Sequence, residues 1–194
     1  MTRSVVVLFL DGWADWEAGL ALAGLREYLG GAEVSATTLD GRPVQSIGGL
    51  TLRPDRAFGE VAPTAADMLI LVGSDGWAQR GPFAPVTAAL QARARAGRPS
   101  AAICAGTLAL AAAGLLDDRP HTSNSLEFLR KHAPAYGGQA LYQDRPAVGD
   151  PLVITAPGSA PVAFAAAIFR TLVPEQEEVI RQFVQEFAKE HRMG

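Results

Sequence analysis

Residues 100–116 read SAAICAGTLALAAAGLL, and the change of period inside this stretch decides the fold. Its first part is small and apolar without a charge, as in a short strand buried on both faces. From Thr107 to Leu116 leucine and alanine recur at helical spacing. Between the two periods stands Cys104, the only cysteine of the chain, with Ala102 before it and Gly106 after it. A strand can turn sharply into a helix only where the flanking side chains are small, and the residue at the apex then stands above the sheet. The spacing is that of a nucleophile elbow. A helix N-terminus behind the sulfur is expected to lower the thiol pKa. A lone cysteine in an apolar segment is otherwise a small buried hydrophobe, and it is the elbow spacing that favours the reactive reading.

The same alternation extends in both directions. Residues 4–10 form a β-branched apolar run that ends at Asp11-Gly12. A helix follows from Asp15, with Leu22, Leu25 and Leu29 in phase, and stops at Gly30-Gly31. Residues 33–39 read as a strand, and residues 44–45 and 50–52 as a small hairpin. Residues 68–72 are a further buried strand running into Gly73-Ser74, and residues 85–96 an Ala-rich helix. After the elbow come a short strand at 121–124, a helix at 125–132, an irregular or weakly stranded stretch at 137–149, a strand at 152–156 and a helix at 161–172. A last amphipathic helix begins near Pro174, with Glu175, Glu177 and Glu178 early and Lys189, His191 and Arg192 late, which suits the helix dipole. Alternating short buried strands and helices imply a mostly parallel sheet covered on both faces. With no repeat or linker, residues 1–194 read as one α/β domain.

Composition narrows the function. The chain has 194 residues, 17 basic and 20 acidic side chains and a formal charge of −3. No basic surplus exists to hold nucleic acid or an anionic membrane, so neither is expected as a partner. One cysteine excludes an internal disulfide and a Cys-rich zinc site, and no metal or cofactor is called for. No stretch reaches the roughly 20 apolar residues of a membrane span, and the run at 5–10 is too short for a signal peptide. A cytoplasmic protein is expected.

Five segments, in order, resemble the DJ-1/PfpI (ThiJ) family of the class I glutamine amidotransferase-like group. They are VVVLFLDGWADWEAG (5–19), SIGGLTLRPD (46–55), DMLILVGSDG (67–76), AAICAGTLALAAAGLL (101–116) and VITAPGSAPVAFAAAIF (153–169). The resemblance implies a flavodoxin-like three-layer α/β/α sandwich with a small hairpin excursion, assembled as a homodimer. It also implies that Glu17 is the acidic residue that contacts and tunes Cys104. A protonated carboxyl there would donate to a thiolate, whereas an ionised one would repel it. Gly73-Ser74 takes the place of a family Gly-Gly. The backbone N–H groups of Ser74 and Ala105 are then expected to form an oxyanion pocket, with the Ser74 hydroxyl narrowing it or adding a donor.

The pattern departs from the family at the base. Aligning Thr122 places Asn124 where the family carries histidine, and an amide accepts no proton at neutral pH. His121 is the one substitute nearby, although strand alternation would point it away from Asn124. Trp13, Trp16 and Trp77 all fall near loops at the same sheet edge and are candidates for a pocket wall. Three functions remain open at this point. The first is a stress-response or redox protein with at most weak activity on reactive carbonyls. The second is a Cys-dependent hydrolase or amidotransferase-like enzyme acting on a small carbonyl or amide substrate with an atypical base. The third is a non-catalytic binding or structural dimer.

Overall fold

The computed structural model describes residues 2–189. His191 and Arg192, placed at the end of the last helix by sequence, lie outside the described residues.

The chain opens with β1 (Ser4–Leu8), α1 (Asp15–Ala23), a wider π-helical turn at Gly24–Tyr28 and β2 (Glu33–Thr38). A hairpin of β3 (Val44–Gln45) and β4 (Thr51–Leu52) follows, then the short edge strand β5 (Arg56–Ala57) and β6 (Met68–Leu71). Next come α2 (Gly76–Arg80), α3 (Ala84–Arg95), β7 (Ser100–Ile103), α4 (Thr107–Ala112) and α5 (Leu126–His132). The chain continues with β8 (Val148–Gly149), β9 (Val153–Ala156), α6 (Pro161–Leu172) and α7 (Glu177–Phe187).

Seven strands form one sheet in the order β5-β2-β1-β6-β7-β9-β8, parallel except for β8 at the edge. The central strands β1, β6, β7 and β9 are buried and largely apolar because both faces are covered. Val5, Val7, Phe9, Met68 and Ile70 face one core with Ala18, Ala21, Phe164, Ile168 and Ile180 of α1, α6 and α7. Val6, Leu8, Leu10, Leu69 and Leu71 face the other with Trp77, Leu90, Leu110 and Leu129 of α2 to α5. Period-two alternation thus divides each strand between two cores, giving the flavodoxin-like sandwich. The chain leaves β1 toward β2 on one side and returns to β6 on the other. That reversal opens a crevice at the carboxyl ends of β1, β6 and β7.

Two expectations change, and a third is sharpened. Residues 121–124 are not a strand, because only His121 bridges, to Tyr142. Side chains take over there, with the Thr122 N–H donating to Thr155 Oγ1 at 2.8 Å. The stretch at 137–149 contains a true edge strand, β8, registered with Val148 opposite Thr155. The helix after the elbow stops at Ala112, and Leu116 reaches the core from the turn beyond it.

Arg93 of α3 is an unexpected buried cation, 2% exposed. Its guanidinium donates to Ser100 Oγ and to the carbonyls of Pro63, Ala66 and Pro99. It thereby fastens α3 to the start of β7 and to the loop before β6. Arg93→Met leaves those carbonyls buried without donors, so urea unfolding should show a loss of about 3 kcal/mol.

Candidate functional site

At the end of β7 the backbone of Cys104 takes φ +58°, the only positive φ of a described non-glycine residue. That left-handed conformation is the sharp elbow the small flanking residues foretold. A single 3₁₀ turn, Cys104–Gly106, leads into α4. The Ala105 N–H lies beside Cys104 and favours its thiolate.

Glu17 comes from the first turn of α1 and is fully buried. Its Oε2 accepts the Gly73 N–H at 2.7 Å. Its Oε1 has no hydrogen bond of good geometry, and the group that couples to the carboxyl is the Cys104 thiol. Two glycines make room for this pairing. A Cβ on Gly73 would strike Glu17 Oε2 and lie 2.7 Å from Cys104 Cβ. One on Gly158, in the loop after β9, would lie 2.9 Å from both Cys104 Sγ and Glu17 Oε1.

Asn124 closes the third side. Its Oδ1 accepts the Gly158 N–H at 2.9 Å, and its Nδ2 donates to Cys104 Sγ at 3.2 Å. The structure therefore brings Cys104, Glu17, Gly73, Ala105 and Asn124 together. Ser74 adjoins them, but its hydroxyl is committed to the loop. It donates to the Asp11 carbonyl at 2.6 Å and accepts the Gly76 N–H at 3.0 Å, so it offers the site no further donor.

His121 is not a base for Cys104. It is buried, with Nδ1 against the Arg119 carbonyl at 2.9 Å and Nε2 against the Tyr136 hydroxyl at 2.5 Å. Burial holds its pKa below the ordinary value. Among the tryptophans, Trp77 belongs to the core on the α2 to α5 side and donates to the Val72 carbonyl. Trp13 packs edge-on against Phe9. Trp13 also bridges the backbone of Ser74, and Trp16 reaches the other site loop, donating from Nε1 to the Gly158 carbonyl at 2.9 Å while remaining 53% exposed.

Electrostatics reverse the expectation of a thiol lowered by a helix end. Burial, followed by the negative charge of Glu17, pushes the Cys104 thiol up to about 11, and the Asn124 and Ala105 donors only partly oppose this. The helix behind the elbow is six residues long and carries little dipole. Burial likewise raises Glu17 to about 7. Two acids in contact titrate as a pair. The pair loses one proton near 7 and the second only near 11. Between those values it carries one negative charge, mainly on the carboxylate, and one proton, mainly on the sulfur.

Sequence reading missed the Pro157-Gly158 loop as a wall of the site. The available signal was a glycine at the carboxyl end of a buried parallel strand, where α/β sheets place their sites.

The fold has counterparts among known proteins. Residues 3–171 match the model of the DJ-1/PfpI family. A crystal structure of the DJ-1 superfamily protein Atu0886 from Agrobacterium tumefaciens is 38% identical, with a TM-score of 0.86, and the match covers 98% of this chain and 100% of that one. A thiJ/pfpI family protein from Bacillus anthracis is 28% identical, with a TM-score of 0.80, over 95% of this chain and 97% of the other. A Bacillus subtilis relative described as the uncharacterized protease YoaZ is 31% identical over 177 residues, 88% of this chain and 84% of its own length. The elbow, the seven-stranded sheet and these matches together establish that the chain belongs to the DJ-1/PfpI family.

Proposed function

We propose that the chain is a thiol-reactive protein of the stress-response type, in which Cys104 acts with Glu17 as its proton partner on reactive carbonyls and peroxides. The observation that carries this reading is the buried Glu17 Oε1, which has no hydrogen-bond partner and whose carboxyl couples to Cys104. A carboxylate with a pKa of about 7 is matched to proton transfer near neutrality. With an aldehyde, the sulfur forms a bond to the carbonyl carbon and the carbonyl π pair moves to oxygen. The thiol proton passes through Glu17 to that oxygen, giving a hemithioacetal with no other reactant. With hydrogen peroxide, the sulfur takes one oxygen as the O–O bond breaks, and the thiol proton goes to the departing hydroxide. Cysteine is oxidised to sulfenic acid and the peroxide is reduced to water. A sulfur that must stay reduced to work suits a cytoplasmic, thiol-reducing compartment. No helix among the described residues is long and apolar enough to cross a membrane.

Methylglyoxal should protect Cys104 saturably from iodoacetamide, and after mild peroxide dimedone should label Cys104. Arginine adducts and oxidised methionines with Cys104 untouched would remove the reading. The name of the Bacillus subtilis relative points instead to amide hydrolysis. That chemistry needs a group to protonate the leaving amine, and Glu17 is the titratable side chain in contact with the sulfur.

Homodimerisation, implied by the family resemblance, is proposed across the groove of about 1210 Å³ bordered by Trp16, Leu20, Val184 and Phe187. Trp16 and Phe187 are exposed at 53% and 39%. Light scattering should give twice the chain mass, and Trp16→Glu with Phe187→Glu should give the single mass.

A further inference from the structure

We infer that Thr107 and Ser123 are positioning residues that hold Asn124 on the Cys104 sulfur; the inference rests on Cys104 being the reacting group. Thr107 is fully buried and Ser123 is 2% exposed, and their hydroxyls bond to each other. Thr107 Oγ1 donates to the Cys104 carbonyl at 2.7 Å, and the Ser123 hydroxyl lies 2.7 Å from the same Oγ1. A threonine hydroxyl has one proton, which the carbonyl takes, so Ser123 is the donor in the second bond. The polarity of the chain is therefore fixed: Ser123 to Thr107 to the carbonyl of Cys104.

Asn124 directly follows Ser123 and is fixed from its other end by the Gly158 N–H. That N–H needs an acceptor, which sets Oδ1 toward Gly158 and Nδ2 toward the sulfur. Residues 121–124 lack a strand ladder to set their position. Together with the bond from the Thr122 N–H to Thr155 Oγ1, the hydroxyl link holds them against the backbone of the strained cysteine and so places Nδ2 on Sγ. The donor favours the form of the shared-proton pair in which sulfur carries the charge.

The test uses the single cysteine, whose iodoacetamide alkylation is followed from pH 5 to 10 in the full chain. Asn124→Ala should slow alkylation at pH 8 roughly threefold to tenfold, the loss of thiolate being partly offset by a more basic sulfur. Thr107→Val should slow it by a similar factor, Thr107→Ser should restore it, and the double variant should be no slower than Asn124→Ala alone. Ser123→Ala, the gentler change, breaks the same link from its other end and should match Thr107→Val. Variants that lose thermal stability but keep the unsubstituted rate would overturn the inference, as would effects that multiply. An ordinary thiol profile in the unsubstituted protein would instead remove the functional reading on which it rests.

Discussion

Glu17→Gln should make the protein more stable at pH 8 by about 3 kcal/mol, while depriving Cys104 of its proton partner. The carboxyl titrates at about 7 in the fold against an ordinary 4.5, so the folded state holds its proton more tightly than the unfolded chain does. Stability therefore falls as pH rises from 4.5 toward 7, and above 7 the whole penalty is present. At about 1.4 kcal/mol per pKa unit this is about 3 kcal/mol at pH 8, and under about 1 kcal/mol at pH 5. Glutamine can still accept the Gly73 N–H and carries no charge to desolvate. Urea titrations at both pH values measure the difference, and the thermal midpoint at pH 8 should rise by about 5–10 °C. Equal or lower stability of the variant at pH 8 would mean that the buried carboxylate is better solvated than its surroundings indicate. A residue whose ionisation opposes folding, and which sits against the one cysteine, has the character of a functional group.

Gly158→Ala should nearly abolish reaction at Cys104. The added methyl would stand 2.9 Å from the sulfur and 2.9 Å from Glu17 Oε1, closer than any relaxed carbon contact. Relief requires moving the loop that Asn124 and Trp16 hold, which breaks the Asn124 bridge. We expect alkylation to fall at least about tenfold and stability by about 1–3 kcal/mol. Gly59→Ala, where a Cβ meets nothing within 4 Å, is the control and should leave alkylation unchanged. Equal rates in both variants would show that the sulfur is approached from another side.

Much of this was legible because strand burial writes itself into composition. The runs that became β1, β6, β7 and β9 are apolar on both faces, and no other local structure suits such short charge-free segments. The elbow was legible from the small residues around Cys104, and Glu17 from its place after the first strand. What escaped depends on distance through space. The helix α2 at Gly76–Arg80 hides behind Asp75-Gly76, which by itself reads as a turn. His121 looked like a candidate base until Tyr136 and the Arg119 carbonyl were seen to hold both ring nitrogens. The thiol pKa went the opposite way because burial and a neighbouring carboxylate outweigh one short helix, and neither can be weighed along the chain.

The most direct test of the shared proton is the pH profile of Cys104 alkylation in the unsubstituted protein and in Glu17→Gln. Two acids sharing one proton predict a step with its midpoint near 7, a plateau, and a further rise toward 11. The glutamine variant should lose the step near 7. A single titration near the ordinary thiol value of about 8.5, unchanged by glutamine, would contradict it.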